Sequence, residues 1–292
     1  MTCLANAIEL RNITKRFGQV VANKSISLEL HKGEILSLLG ENGSGKTTLM
    51  NMLSGIYYPD EGQIFVDGKE VEIRSPKDAF DLHIGMIHQH FKLVDVFTAA
   101  ENIILGLPGD KGKMDKNAVA KAVREIADRY GFDIDPNQKI YEMSVSQKQT
   151  VEIVKVLYRG ADILILDEPT AVLTPQETEK LFTVMRNMKK DGKAIIIITH
   201  KLHEVLAVSD RVAVLRKGEY IGDTDTATAS QQSLTDMMVG RAVSLNIDRP
   251  LNENQTERLR VEHLTVKNKE GVKMLDDVTF TAMGGEILGV AG

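Results

Sequence analysis

A short glycine-rich segment constrains the fold of this chain more strongly than any other feature. Residues 40–48 read Gly-Glu-Asn-Gly-Ser-Gly-Lys-Thr-Thr and match the pattern G-x-x-x-x-G-K-[ST] at every fixed position. The apolar run at residues 34–39 is typical of a buried parallel strand, and residues 47–53 favour a helix. This order of strand, glycine-rich turn and helix is the context in which the pattern binds phosphate.

The chemistry of this phosphate loop follows from its residue types. Glycines let successive backbone N–H groups turn toward a phosphate, and the helix N-terminus adds partial positive charge. Lys46 is expected to reach the β- and γ-phosphates of a nucleotide, and the Thr47 hydroxyl to coordinate Mg²⁺. A glycine-rich turn that binds nothing is the alternative, which the flanking strand and helix disfavour. The predicted nucleotide-binding residues of the loop are Gly40, Glu41, Asn42, Gly43, Ser44, Gly45, Lys46, Thr47 and Thr48.

A second apolar run, residues 163–166, ends in the adjacent carboxylates of Asp167 and Glu168. Unpaired buried charge is costly, so a strand gains nothing structural from two acids at its end. Asp167 fits a residue that helps to hold Mg²⁺, and Glu168 fits one that orients or deprotonates an attacking water. Without the phosphate loop, two solvated acids in a turn would be a credible alternative.

A third apolar run, residues 194–199, leads directly to His200. Ligands of open α/β sheets bind beyond the carboxyl ends of the strands. We therefore expect Lys46, the two acids and His200 to meet at one edge of a sheet. There His200 is placed to donate a hydrogen bond to a γ-phosphate, although a lone histidine is more often a surface or capping residue.

These motifs, in this order, resemble those of the ATP-binding subunits of ABC transporters, and the resemblance covers the whole chain. Phe17 matches the aromatic residue that stacks on adenine in that family. Gln89 matches the Q-loop glutamine, which contacts Mg²⁺ and couples to the membrane subunit. Ser144 and Gln147 lie where the signature L-S-G-G-Q is expected, and residues 171–174 occupy the D-loop.

The resemblance implies an α/β fold, that of a P-loop NTPase. Its ABC ATPase domain would contain a parallel core sheet, an antiparallel β subdomain and a helical subdomain. ATP and Mg²⁺ are the implied cofactors. The implied catalytic residues are Glu168, His200, Lys46 and Gln89. The implied metal ligands are Thr47, Gln89 and Asp167, while Ser144 and Gln147 would contact a nucleotide held by an opposing domain.

Two positions depart from the family pattern. The signature has Val145 and Ser146 where the family usually has glycines, which let backbone N–H groups approach the γ-phosphate on the opposing domain. The sugar- and nucleoside-importer branch often relaxes these positions. The D-loop has Thr174 where an aspartate is common. The matches outweigh these departures.

An internal repeat extends across the chain. Three segments near the N-terminus are similar in sequence to three segments within residues 259–292, in the same order. This similarity indicates a repeat at the scale of a domain. The echoed pairs are 8–14 with 259–265, 25–28 with 277–280, and 33–40 with 285–292.

The repeat predicts three regions. Residues 1–243 are expected to form one ABC ATPase domain, with a helical subdomain at about 91–160. Residues 244–258 are polar and are expected to form a linker. Residues 259–292 are expected to be the first strands of a second ABC ATPase domain, truncated at the equivalent of Gly40.

Composition limits the function classes. The formal net charge is −5 and no long basic run occurs, which disfavours binding to nucleic acid. The single cysteine, Cys3, fits a reducing compartment. No apolar stretch approaches the ~20 residues of a membrane-spanning helix. We expect a peripheral protein at the cytoplasmic face of the cell membrane.

Tandem ATPase domains with this signature resemble the ATP-binding subunits of simple-sugar and nucleoside importers. The implied function is hydrolysis of MgATP that drives solute import through a membrane permease. The implied partners are transmembrane permease subunits, through them an extracytoplasmic solute-binding protein, and a second ATPase domain or homodimer partner. The segments 88–98, 101–106 and 158–162 favour the nucleoside branch.

Two alternatives remain open at this point. A soluble tandem ABC ATPase acting in translation or DNA repair would be expected to carry a basic linker, whereas residues 248–260 are nearly balanced in charge. The cluster His83, His88 and His90 suggests a metal site, but no cysteine or acid lies nearby at ligand spacing, so we disfavour it.

Overall fold

The computed structural model describes residues 5–89, 91–107, 116–240, 256–269 and 271–290. The chain divides into two compact units, residues 1–243 and 244–292. The larger unit contains two sheets and the helices around them. The predicted linker lies mostly outside the described residues, as do Cys3 and His90.

A six-stranded sheet with the order β10-β9-β3-β8-β7-β6 organises the larger unit. Strands β6 to β9 and β3 run parallel, and β10 pairs antiparallel with β9. The three predicted parallel strands therefore lie side by side at the centre of the sheet. The strands are β3 (Ile35–Leu39), β6 (Ile84–Ile87), β7 (Ile163–Asp167), β8 (Ala194–Ile198), β9 (Arg211–Arg216) and β10 (Glu219–Asp225).

Both faces of this sheet are covered, which explains why its central strands are continuously apolar. Successive residues of β8 point to opposite faces. Ile196 and Ile198 belong to one hydrophobic cluster, and Ile195 and Ile197 belong to another. All five residues of β3, β7 and β8 are buried.

On the first face, helix α1 (Lys46–Leu53) and an antiparallel sheet complete the core. This second sheet has the order β2-β1-β4-β5. Leu49 of α1 and Ile26 of β2 share one cluster with Leu36 of β3. The strands are β1 (Asn6–Phe17), β2 (Val20–His31), β4 (Glu61–Val66) and β5 (Lys69–Val71).

On the second face, helix α6 (Pro175–Lys190) lies against the sheet. Its Phe182 and Met185 share a cluster with Leu164 and Ile195 of the central strands. Three shorter helices complete the periphery. They are α2 (Pro76–Asp81), α7 (Leu202–Val208) and α8 (Gln231–Val239).

A group of helices with its own hydrophobic cluster occupies the region predicted as the helical subdomain. The group comprises α3 (Ala99–Ile104), α4 (Lys116–Tyr130) and α5 (Val145–Tyr158). Ile103, Val123 and Val151 are buried together between these helices. Helix α4 carries the amphipathic pattern of the sequence, with Val119 and Val123 buried and Arg124 exposed.

The smaller unit is described as one antiparallel hairpin of β11 (Glu257–Lys267) and β12 (Lys273–Met283). The echoed segments 259–265 and 277–280 lie on these strands, as 8–14 and 25–28 lie on β1 and β2. Across the described parts of both units, no helix combines the length and the apolar character needed to cross a membrane.

Candidate nucleotide-binding site

Strand ends build the candidate site. Strand β8 pairs in parallel with β3 on one side and with β7 on the other, so their carboxyl ends share one edge. Beyond that edge lies a cleft of about 660 Å³. It is lined by residues 42–48 together with Gln89, Asp167, Glu168 and His200. The structure therefore brings together the residues that the sequence analysis placed at this edge.

The phosphate loop holds Lys46 in a defined position. Gly45 caps helix α1 with a left-handed backbone, φ +96°, directly before Lys46. Lys46 is only 6% exposed, and its ammonium donates to the carbonyls of Gly40 (2.7 Å) and Glu41 (2.9 Å). Gly40 and Glu41 therefore contact Lys46 and are not among the residues that line the cleft.

Buried charges of both signs face each other in the cleft. Burial lowers the pKa of Lys46, while the nearby Glu168 and Asp167 carboxylates oppose that shift. Burial, reinforced by the charge of Glu168, raises the pKa of Asp167, and Lys46 and a hydrogen bond from Thr47 partly offset it. The Asp167 carboxylate is therefore desolvated in a place where an added cation would stabilise its charged form.

The donor set at this point fits Mg²⁺. Thr47, Asp167 and Gln89 present a hydroxyl, a carboxylate and an amide, which are hard oxygen donors. Mg²⁺ is usually held by one or two carboxylates together with substrate phosphates. Such a site needs no cluster of acids and histidines, and the described residues contain no group of three or more His, Cys, Asp or Glu arranged around a metal.

Glu168 and His200 form a pair at the cleft. The His200 Nδ1 lies 2.9 Å from the Glu168 Oε1. The Glu168 side chain is 13% exposed and that of His200 is 56% exposed. The second oxygen, Glu168 Oε2, is buried and accepts no hydrogen bond from any residue that the structure describes. A buried carboxylate oxygen without a protein partner is an acceptor that an enclosed water or a ligand could satisfy.

Three further predicted nucleotide contacts lie outside the cleft lining. Phe17, at the end of β1, is 44% exposed and meets Tyr57 edge-on, with 5.1 Å between ring centroids. Ser144 caps helix α5, where its hydroxyl accepts from the Gln147 backbone N–H and the Gln147 side chain accepts from the Ser144 N–H. Ser144 and Gln147 were predicted to contact a nucleotide held by an opposing domain. Their position within this chain therefore does not test those contacts.

One wall of the cleft was not predicted from the sequence. Val20 and Val21 of β2 line it, as do Lys217 and Gly218 of the turn between β9 and β10. The Gly218 N–H donates to the Ser44 carbonyl at 3.2 Å, which fastens this turn to the phosphate loop. A Lys-Gly pair between two apolar runs indicates a hairpin, but no local signal indicates what the turn touches.

The histidine group that the sequence disfavours as a metal site is only partly described, because His90 lies outside the described residues. The His83 Nδ1 lies 2.9 Å from the Gly160 carbonyl oxygen, which gives this ring a structural partner. His88 is half-buried, and burial together with the charge of Lys92 lowers its pKa.

A phosphate loop with two acids and a histidine at the same sheet edge defines a P-loop nucleotide-binding protein. The sequence profile of the family described as "ABC transporter" matches residues 23–171, and this chain belongs to that family. The predicted family and fold class are thus confirmed.

Two relatives extend the similarity to almost the whole chain. The guanosine import ATP-binding protein NupO of Bacillus subtilis (strain 168) is 50% identical over 286 residues. The nucleoside import ATP-binding protein NupA of Lactococcus lactis subsp. cremoris (strain MG1363) is 48% identical over 286 residues. Each match covers 98% of this chain and 56% of the relative, so the chain spans little more than half of their length.

The fold also matches a solved structure. The crystal structure of an ATP-binding cassette of an ABC transporter, in its ADP conformation, superposes with a TM-score of 0.71. The two chains are 25% identical, and the match covers 81% of this chain and 99% of the other.

Proposed function

We propose that this chain binds and hydrolyses ATP as part of the ATP-binding subunit of a solute importer. One observation carries the proposal: a single cleft is lined by Lys46, Asp167, Glu168 and His200, although separate elements of the chain supply them. A site that only binds nucleotide has no need of a buried carboxylate oxygen without a partner. Glu168 provides that oxygen beside the phosphate loop.

The proposed reaction uses these residues in distinct roles. The backbone N–H groups of the loop and Lys46 bind the β- and γ-phosphates. Glu168 accepts a proton from a water, whose oxygen bonds to the γ-phosphorus as the bond to the β–γ bridging oxygen breaks. His200 orients Glu168 through Nδ1, and its ring is proposed to donate a hydrogen bond to the γ-phosphate.

Thr47, Gln89 and Asp167 are the residues proposed to hold Mg²⁺ with the nucleotide. The ion would neutralise charge that develops on the phosphate oxygens. Phe17 is proposed to reach adenine from the exposed end of β1, next to the cleft wall formed by Val20 and Val21. Ser144 and Gln147 are proposed to contact the nucleotide of a second ATPase domain or homodimer partner.

The proposed partners are transmembrane permease subunits and, through them, an extracytoplasmic solute-binding protein. A second concavity of about 240 Å³ supports a docking surface beside the Gln89 segment, and Phe80, His88, Lys92 and Arg159 are among its lining residues. The subunit would then lie peripherally at the cytoplasmic face of the membrane. Residues 1–243 would be one ABC ATPase domain, and 259–292 the first strands of a second.

The transported solute is proposed to be a nucleoside. The names of the two relatives at 48% and 50% identity support this choice over a simple sugar. They give no support to the alternative role in translation or DNA repair. Uptake of labelled nucleosides and of labelled ribose, in cells with and without the full gene, tests the choice. Loss of ribose uptake alone would contradict it.

Glu168→Gln tests the proposed hydrolysis. The amide keeps the shape of the side chain but cannot accept the proton, so we expect ATP affinity to persist and turnover to fall by about 10²-fold or more. Glu179→Gln, an exposed position on α6, is the matched control and should keep both properties. Wild-type turnover in Glu168→Gln would contradict the role proposed for Glu168.

A further inference from the structure

A buried acid that the proposed reaction does not use lies behind the Glu168–His200 pair. Glu204 of helix α7 is 4% exposed. Its Oε1 lies 3.0 Å from the Lys201 ammonium, and its Oε2 accepts from the Thr170 hydroxyl at 2.5 Å. The Thr199 hydroxyl approaches the same Oε2 at 3.4 Å. Both carboxylate oxygens are therefore occupied inside the protein.

Lys201 closes this cluster. Its ammonium donates to the Thr170 carbonyl at 2.9 Å and to the Thr170 hydroxyl at 3.3 Å. Thr170 is 1% exposed. Its carbonyl and its hydroxyl both bond to charged side chains. Thr199, Lys201 and Glu204 all belong to the segment that follows β8.

The cluster joins the two segments that carry the candidate catalytic groups. Thr170 lies two residues after Glu168, and Thr199 and Lys201 flank His200 on either side. The opposite side of the first segment is also held, because the buried Gln149 of α5 donates to the Pro169 carbonyl at 2.7 Å. Pro169 and Thr170 are thus fastened from two directions directly after Glu168.

The backbone of Glu168 needs such support. Its φ of +49° is in the left-handed region, which a residue with a side chain seldom adopts and which persists where surrounding contacts enforce it. Its N–H donates to the Ile198 carbonyl of β8 at 2.9 Å, which is one such contact. The bonds to Pro169 and Thr170 are the next along the chain.

We infer that Glu204 is a positioning residue for ATP hydrolysis: through Thr170 and Lys201 it locks together the segments that bear Glu168 and His200. The inference rests on the proposed function. A buried ion pair adds little net stability compared with apolar packing. The Lys201–Glu204 pair instead holds the side chains of Glu168 and His200 at a fixed separation. Small displacements of reacting groups have large effects on rate.

Glu204→Gln is the first test. The amide keeps the size of the side chain but weakens the contacts to Lys201 and Thr170. We expect kcat to fall by about tenfold or more. The KM for ATP should stay within about twofold, because the phosphate loop is built on β3 and α1, away from this cluster. The ring resonances of His200, assigned with His200→Asn in labelled protein, should shift in Glu204→Gln.

A second pair of variants distinguishes the hydrogen bond between Thr170 and Glu204 from the packing of the Thr170 side chain. Thr170→Val removes the hydroxyl at nearly constant volume, and Thr170→Ser keeps it. We expect the valine variant to lose kcat as Glu204→Gln does, and the serine variant to retain it. Combining Thr170→Val with Glu204→Gln should add little further loss, because both changes break the same contact.

The matched control is another buried ion pair in the same unit. Glu34 is 6% exposed and pairs with Arg211 at 2.8 Å, at the amino end of β3, on the opposite edge of the sheet from the cleft. Glu34→Gln should lower the unfolding temperature and leave kcat unchanged. An equal loss of kcat in this control would overturn the inference.

The remaining outcomes are also decisive. Wild-type kcat in Glu204→Gln or Thr170→Val, with a lowered unfolding temperature, would show a purely structural role and overturn the inference. Absence of hydrolysis by the wild-type protein would instead contradict the proposed function. In that case the His200 resonances decide the inference, because they report the Glu168–His200 contact without turnover.

Discussion

At the scale of single residues, the phosphate loop depends on backbone positions without room for a side chain, and Gly45 is one of them. A Cβ at Gly45 would lie 2.4 Å from the Ala22 carbonyl oxygen and 2.6 Å from the Asn23 amide nitrogen. The Asn23 side chain donates to the Gly45 carbonyl at 3.1 Å and is fully buried. Strand β2 therefore sets how closely the loop approaches the sheet, and with it the position of Lys46.

Gly45→Ala and Gly43→Ala test this close approach as a matched pair. Both glycines have left-handed backbones, but a Cβ at Gly43 meets nothing within 4 Å. Gly43→Ala should therefore lose only the conformational term, roughly 1–2 kcal/mol of unfolding free energy. Gly45→Ala should lose clearly more and should weaken ATP binding, because Lys46 moves with the loop. Urea unfolding and ATP titration measure both effects, and equal stability losses would contradict the argument.

A second residue-scale prediction concerns Tyr130, at the end of α4. Its hydroxyl donates to the Asp191 carboxylate at 2.6 Å. Burial, with that hydrogen bond, raises the pKa of Tyr130 from 10.0 to about 12. Between these values the folded state keeps a proton that the unfolded state has lost, so stability should fall as pH rises through this window.

Tyr130→Phe removes that titration. We expect the variant to lose about 1 kcal/mol of stability at neutral pH, from the missing hydrogen bond. Its further loss of stability in the alkaline window should be smaller than that of the wild type. Urea unfolding across this pH range measures the difference in slope, and Tyr58→Phe, at an exposed position, serves as the control. Identical slopes for wild type and Tyr130→Phe would contradict the assignment.

At the scale of elements, side-chain caps fix where the functional helices begin. Thr174 precedes α6 in a capping box: its hydroxyl accepts from the Glu177 N–H, and the Glu177 carboxylate accepts from the Thr174 N–H and hydroxyl. The D-loop position that departs from the family's aspartate is thus occupied by a residue with a defined structural task. The hydroxyl of a threonine at this position can donate to the Glu177 carboxylate, which the side chain of an aspartate cannot do.

This contact predicts an order of stability for variants at Thr174. Thr174→Ser should stay within about 0.5 kcal/mol of the wild type, and Thr174→Ala should lose about 1 kcal/mol. Thr174→Asp should fall between them, because it keeps the cap but places a second carboxylate beside Glu177. Thr183→Ala, on the exposed side of the same helix, is the control and should not destabilise. Thermal unfolding decides the order, and an alanine variant as stable as the serine variant would refute it.

The elements that the sequence predicted are those encoded by local pattern. The buried strands β3, β7 and β8 are apolar runs in the sequence. They lead to the loop that carries Lys46, to Asp167 and to His200, so each run predicted both a strand and a candidate site residue. Contacts between distant segments leave no such pattern. Arg211 pairs with Glu34, 177 positions away, and the turn at Gly218 touches Ser44. The Glu204 cluster likewise could not be predicted from the sequence, because it forms only where the segment after β8 lies beside the segment after β7.

At the scale of the whole molecule, the phosphate loop and the signature segment lie in different places. The phosphate loop lines the cleft with Glu168, whereas Ser144 of the signature segment caps α5 and lies outside that cleft lining. Because the relatives are nearly twice as long as the matched region, we propose that a second ATPase domain supplies the opposing surface. When residues 1–292 are studied alone, a second copy of this chain is the available substitute.

Pairing of two copies makes a prediction that mixing experiments decide. Glu168→Gln disables the cleft of its own chain, and Ser144→Asp keeps the cap of α5 but places a negative charge against the partner's nucleotide. Each variant alone should hydrolyse ATP slowly. A mixture forms pairs with one intact site, about a quarter of all sites for random pairing of equal amounts, so activity should reappear on mixing. Specific activity of the wild type should also rise with protein concentration. Full activity of dilute wild type, or no gain on mixing, would contradict a composite site and leave each chain to act alone.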